Sequence, residues 1–315
     1  MTRTYRRLTA GWIALIAIWG VGALWRPAAT TALVREIWNA AHGPWFALVA
    51  FALAESIARI GRRNGVCALA GGVLAFALGV LQELIQLLGP RDADLLDGLR
   101  NGVGALLGGW TWYAWRRTLP ARIDARRGAQ ALVTVAALIA LLWPAIAAWS
   151  DQRARARTFP VLWEPGTAWT ERYRLVWWGG LAVETAPPGG AFRAGQVYRW
   201  EPWWNAGPRV GLSEAQPDWR GYASLVMELE NLGTDAATLA FRVNDRAHDD
   251  RPEDRFEVRV TIDPGYRRLT FPLERFRTAP ANREMDLAEM TEVFFYKPLE
   301  TPEPPTFLLG SWWLE

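Results

Sequence analysis

Hydrophobic residues along this chain fall into two regimes. Up to about residue 150 they form long, nearly unbroken runs, at 8–25, 44–60, 66–88, 98–115 and 129–149. A helix needs ~20 apolar residues to cross the ~30 Å hydrocarbon layer of a bilayer. The third and fifth runs meet that length. The second and fourth lie near its lower limit and carry polar residues, so the five read as a packed bundle rather than as isolated anchors. Beyond residue 158 the period shortens towards two. Segments 225–230, 238–243, 255–260 and 268–273 alternate or run apolar as strands do. Asn231-Leu232-Gly233, residues 249–252 and Asp263-Pro264-Gly265 punctuate them as turns, 287–290 reads as a short helical turn, and 293–296 and 307–314 close the set. The expected architecture is therefore an all-α transmembrane bundle of five helices (1–149), a polar linker (150–158) and an all-β antiparallel sandwich (159–315).

Arginine placement orients the bundle, because flanks on the cytoplasmic side carry the excess of positive charge. Arg3, Arg6, Arg7, Arg59, Arg62, Arg63, Arg116, Arg117, Arg122, Arg126 and Arg127 fall on one side, against Arg26, Arg35, Arg91 and Arg100 on the other. Five crossings then put the N-terminus in the cytoplasm and the sandwich outside the cytoplasmic membrane. Arg153, Arg155 and Arg157 run against this bias. Arg26-Pro27 is a poor cleavage site, so the first run reads as an uncleaved helix rather than a signal peptide. Trp143-Pro144 predicts a kink in the fifth.

The 315 residues carry a net charge of only +3, with Lys297 as the single lysine. No dense basic tract is present, which argues against nucleic acid as a partner. Cys67 is the single cysteine, so neither an intrachain disulfide nor a cysteine-rich zinc site can form. No phosphate loop, dinucleotide fingerprint or nucleophile elbow is found. Neither a cofactor nor a metal is expected, and whether the chain is an enzyme is left open.

The membrane half keeps its polar residues together. His42 precedes the second run, Glu83 and Gln86 end the third, Arg91, Asp94 and Asp97 fill the loop, and Asn101 opens the fourth. On the expected topology all face the outer side. Glu83 and Gln86 share a helical face, as do Asn101, Gly104 and Gly108. The short loop makes the third and fourth helices antiparallel neighbours, so the small-residue face is expected against the Glu83/Gln86 face. Asp94 or Asp97 can cap the fourth helix, and Arg91 is the expected partner of Glu83 or Asp97. An ionisable group inside a span is a functional hypothesis by default. Two readings stand: a buried ion-pair network that locks the bundle, or a pocket in which His42 carries a proton, Glu83 acts as acid or base and Arg91 binds an anion. Glu55 and Arg59 read as a solvated or snorkelling i, i+4 pair at the cytoplasmic end of the second helix.

This combination resembles the VanZ-like membrane protein family over about residues 8–117. The family pattern, a His before one helix, E-x-x-Q ending the next, an Arg, an Asp and then N-x-x-G-x-x-x-G, matches at His42, Glu83, Gln86, Arg91, Asp97, Asn101, Gly104 and Gly108. The family usually has Tyr or Phe soon after the His, where this chain has Trp45 and Phe46. The resemblance implies a bacterial envelope protein linked to the response to glycopeptide antibiotics.

In the second half, Asp218-Trp219-Arg220-Gly221-Tyr222 and the strands that follow resemble galactose-binding-like jelly-roll modules, although Gly310-Ser311-Trp312 stands where the last strand of such modules often carries an Asp. Ten tryptophans lie here: Trp163, Trp169, Trp177, Trp178, Trp200, Trp203, Trp204, Trp219, Trp312 and Trp313. Aromatic faces stack on sugar C–H surfaces, which makes Trp203, Trp204, Trp219 and Tyr222 candidates for glycan binding; most tryptophans should fill the core or rest on the membrane interface. His248, among Asp245, Asp249 and Asp250, reads as an exposed turn rather than a metal site. Three functions remain: a membrane-held binder of cell-wall glycan or an envelope partner, an intramembrane enzyme or carrier for a lipid-linked precursor, and a scaffold.

Overall fold

A computed structural model describes residues 31–87, 95–117, 125–189, 191–203, 207–299 and 305–315. They form two compact units that divide after Ala147. The expected first membrane helix lies outside the described residues.

Four long helices follow: α1 (Ala32–Ala58), α2 (Asn64–Leu87), α3 (Leu95–Arg117) and α4 (Ala125–Thr158). Ala32–Ala58, Asn64–Gln86 and Ala131–Thr158 are each long and apolar enough to cross a membrane. Helix α3 is long enough, but Asp97, Arg100, Arg116 and Arg117 lower its apolarity. Helix α1 begins well before the apolar run starting at residue 44. Thr31 Oγ1 caps it by accepting from the Val34 N–H at 3.3 Å, and Pro44 lies inside it.

Helices α1, α2 and α3 pack on one another. The small-residue face of α3 divides: Asn101 lies against Gly79 of α2, on the expected face, whereas Gly104 and Gly108 meet α1. A Cβ at position 104 would collide with the Gly43 carbonyl oxygen, and one at 108 with that of Ala47. Glycine at these two positions thus sets how closely the backbones approach. Glu55 keeps its expected pair with Arg59 and in addition ties α1 to α3. Its carboxylate accepts from Arg116 Nη2 at 2.7 Å and from Trp112 Nε1 at 3.0 Å, with Arg59 farther off at 3.5 Å.

The second unit is a sandwich of two antiparallel sheets. Sheet one runs β3 (Gly179–Thr185), β4 (Gln196–Pro202), β11 (Phe307–Leu314), β6 (Ser224–Asn231), β9 (Gly265–Pro272), with β1 (Val161–Trp163) also paired to β11. Sheet two runs β2 (Arg174–Trp177), β5 (Arg209–Leu212), β10 (Met290–Tyr296), β7 (Ala237–Asp245), β8 (Phe256–Ile262). The core between them is aromatic. Trp163 stacks on Trp312 at 4.8 Å and Phe241 on Phe271 at 4.5 Å, while Phe295 meets Trp312 edge-on. Two short helices complete the unit, α5 (Ala168–Tyr173) and α6 (Leu273–Arg277). The helical turn expected at 287–290 is instead a turn leading into β10.

Residues 150–158, read as a polar linker, are the last turns of α4. They are bound to the sandwich. The Arg155 guanidinium donates to the Glu214 carbonyl and lies 4.3 Å from the Tyr173 ring centre, and Arg172 Nε donates to Asp151 Oδ2 at 2.6 Å.

Candidate functional site

Two places bring chemistry together, one in each unit. In the helical unit, Asn101 is fully buried on α3 and His42 is buried within α1 rather than ahead of it. Asn101 Oδ1 and His42 Nδ1 are hydrogen-bonded at 3.0 Å. Gly79 of α2 makes room for Asn101, since a Cβ there would stand 2.8 Å from the Asn101 Cβ. Gln82 and Gln86 continue the Gly79 face at i+3 and i+7, and both are buried; Glu83 is half-buried. Asp97 pairs with Arg100 at 2.5 Å, one turn along its own helix. Arg91 and Asp94 lie outside the described residues. Gln86 Nε2 and Asn101 Nδ2 are buried and have no hydrogen-bond partner among the described residues. Each is a buried amide N–H donor in an apolar bundle, where unmade hydrogen bonds are costly.

In the sandwich, the structure redistributes the expected glycan residues. Trp219 is a core residue: it is fully buried, donates from Nε1 to the Gln216 carbonyl at 2.6 Å and packs on Phe276. No face of it is left for a sugar. Tyr222 packs edge-on against Phe159 at 5.5 Å. The surrounding motif is a turn: Asp218 accepts two side-chain hydrogen bonds from Arg220, which hold its carboxyl down at about 2, and Gly221 adopts φ 86°. Trp204 lies outside the described residues.

Trp203 is 58% exposed and has neighbours the sequence reading did not single out. Trp177 and Trp178 are 54% and 57% exposed. The chain passes here from β2, the edge of sheet two, to β3, the edge of sheet one. Trp178 is at the corner with φ 53°, a left-handed conformation rare for a bulky residue. Its carbonyl accepts from the Trp203 N–H at 3.0 Å. Arg209 lies across from Trp177 in register and 5.5 Å from its ring centre. The signal in the sequence was Trp177-Trp178-Gly179-Gly180, an aromatic pair followed by glycines at a strand exchange.

His248, Asp249 and Asp254 bring ligand-type atoms within 4.8 Å of one another. Arginines already occupy that neighbourhood. Arg242 Nη2 donates to His248 Nε2 at 2.7 Å, and Arg283 binds Asp254 at 2.5 Å and also Asp245. The Arg283 hydrogen bond holds the Asp254 carboxyl below the usual range. A metal would have to displace these cations, so the cluster is structural.

No family model and no curated protein matches this chain. Among solved structures, the family 11 carbohydrate-binding module from Clostridium thermocellum, in complex with a β-1,3-1,4-mixed-linked tetrasaccharide, is similar to it at 12% identity. That likeness has a TM-score of 0.33 and covers 45% of this chain and 86% of the module. The family 30 module of a C. thermocellum cellulosomal cellulase is similar at 13% identity and TM-score 0.33, over 48% of this chain and 95% of that one. An exo-β-agarase is similar at 12% and 0.40, over 49% and 24%. Likeness at these scores carries no functional conclusion.

Proposed function

We propose that this chain is a bacterial envelope membrane protein whose helices hold a β-sandwich at the outer face of the cytoplasmic membrane, where the sandwich binds glycan. The observation that carries the binding is the corner formed by Trp177, Trp178 and Trp203. All three rings are more than half exposed, beside a backbone hydrogen bond that joins two of their residues. Exposed aromatic residues gathered at one corner suit an interaction site, and flat rings suit the C–H faces of sugars. A strained backbone at Trp178 fits a residue kept for its side chain rather than for stability.

The VanZ-like resemblance supplies the finer reading of the membrane half: five helices, N-terminus inside, and a place in the envelope's response to glycopeptides. Arg155 supports the orientation, because its guanidinium is committed to the sandwich and need not count as a cytoplasmic flank. A second reading, an intramembrane carrier or enzyme for a lipid-linked precursor, is favoured by the buried Gln86 and Asn101 donors.

Electrophoresis of the detergent-solubilised protein through gels containing polysaccharides tests the binding. Truncating a central aromatic of an interface costs about 2 kcal/mol, or roughly thirtyfold in affinity. Trp178→Ala and Trp203→Ala should each weaken retardation by that order. Retardation that neither substitution alters places the site elsewhere.

A further inference from the structure

The outer face of sheet two runs directly from the Trp corner, and its composition narrows what the corner can bind. Residues opposite one another in antiparallel strands share a face. Trp177, Arg209, Tyr296, Ala240 and Arg259 form one such row across all five strands. Leu175, Gly211, Phe294, Arg242 and Glu257 form the next row on the same face. The intervening row, Val176, Val210, Phe295, Phe241 and Val258, points to the core. The outer face therefore presents three arginines and one carboxylate in these two rows, with Gly211 and Ala240 keeping its floor low.

The arginines differ in what they already bind. Arg242 donates to Asn244 Oδ1 at 3.0 Å and to His248 Nε2 at 2.7 Å. Arg209 lies 5.5 Å from the ring centres of both Trp177 and Phe294, and has neither a carboxylate nor a hydrogen-bond acceptor among the described residues. Its planar guanidinium is thus held in place by stacking while its N–H fork is available, the arrangement that suits bidentate recognition of a carboxylate or phosphate.

We infer that the corner takes an anionic glycan, with the sugar ring stacked on the exposed tryptophans and its acidic group bound by Arg209. This rests on the glycan reading above and adds the ligand's charge. Tryptophan beside arginine also suits an anionic lipid surface. The position of Arg209 on a sheet face, in register behind the edge tryptophan, favours a ligand that lies along the sheet.

The test uses the whole protein in detergent. Binding is measured to polygalacturonate, alginate and hyaluronate, to methyl-esterified polygalacturonate and dextran as uncharged counterparts, and to phosphatidylglycerol vesicles. The acidic polymers should bind at least tenfold more tightly than the uncharged ones, and the difference should shrink as salt is raised. Arg209→Gln should remove that preference, so that the acidic polymers bind no more tightly than the methyl ester, whereas Arg209→Lys, which keeps the charge and the stem, should retain part of it. A melting temperature matching wild type shows that each variant is folded. Equal binding of charged and uncharged polymers, or an Arg209→Gln variant that keeps the preference, overturns the role of charge and leaves the aromatic site standing. Binding to none of the glycans, or to the vesicles alone, overturns the glycan reading as well.

Discussion

Trp178 sits at φ 53° with its ring in solvent, a conformation that costs a non-glycine residue roughly 1–2 kcal/mol. Trp178→Gly should therefore leave the sandwich as stable or more stable by about 1 kcal/mol in urea denaturation while losing glycan binding. A large loss of stability would show that the ring serves the fold. Other side chains of the sandwich couple stability to pH. Arg283 keeps the Asp254 carboxyl below its ordinary range, so the stabilisation is present above about pH 4 and is lost as pH falls through the depressed value. Asp254→Asn should lower the unfolding midpoint at pH 6 by an amount corresponding to about 1 kcal/mol and converge on wild type near pH 2. A constant difference across that range contradicts the assignment. At the alkaline end, burial first and the neighbouring Glu228 second push the Tyr266 hydroxyl up to about 12. The stability it contributes is whole below pH 10 and lost as pH rises towards 12. At this scale residue type was readable and environment was not. Trp203 and Trp219 read alike in the sequence, yet one faces water and the other the core, because burial is decided by strands distant along the chain.

Among the elements, strands that alternate or run apolar were the readable ones. β6 to β11 lie within a few residues of the expected segments. β1 to β5 carry little alternation, being short or rich in Trp, Gly and Pro, and only the ladder with distant partners such as β10 and β11 makes them strands. In the helical unit the spacing of Asn101, Gly104 and Gly108 marked a packing face, but a period says which residues share a face and not which neighbour covers it. The short connection pointed to α2. The structure gives that role at Gly104 and Gly108 to α1, whose backbone at Gly43 and Ala47 comes closest. Gly104→Leu should force α1 and α3 apart and lower the melting temperature of the solubilised protein by several degrees, as overpacking costs of order 1–3 kcal/mol. The same substitution at Gly98, whose Cβ would meet nothing within 4 Å among the described residues, should be nearly neutral. Equal effects at both positions would contradict the close packing of α1 on α3.

For the whole molecule, the change of period near residue 150 separated an apolar half from a β-rich half, and the chain divides into compact units after Ala147. Hydropathy alone could not show that α4 continues through the polar stretch to Thr158, since Arg155 looks like a solvated flank until Glu214 and Tyr173 are placed beside it. The proposed orientation predicts that a reporter fused after residue 63 is active in the cytoplasm and one after residue 157 outside; the reverse pattern would place the sandwich in the cytoplasm. The central claim is that the Trp177, Trp178 and Trp203 corner binds glycan. Its most direct test is a glycan array probed with the full chain in detergent, wild type against the variant with all three tryptophans replaced by alanine. Wild type should give glycan signal, the variant should lose it, and both should melt at the same temperature. Signal of equal strength from the two proteins would contradict it.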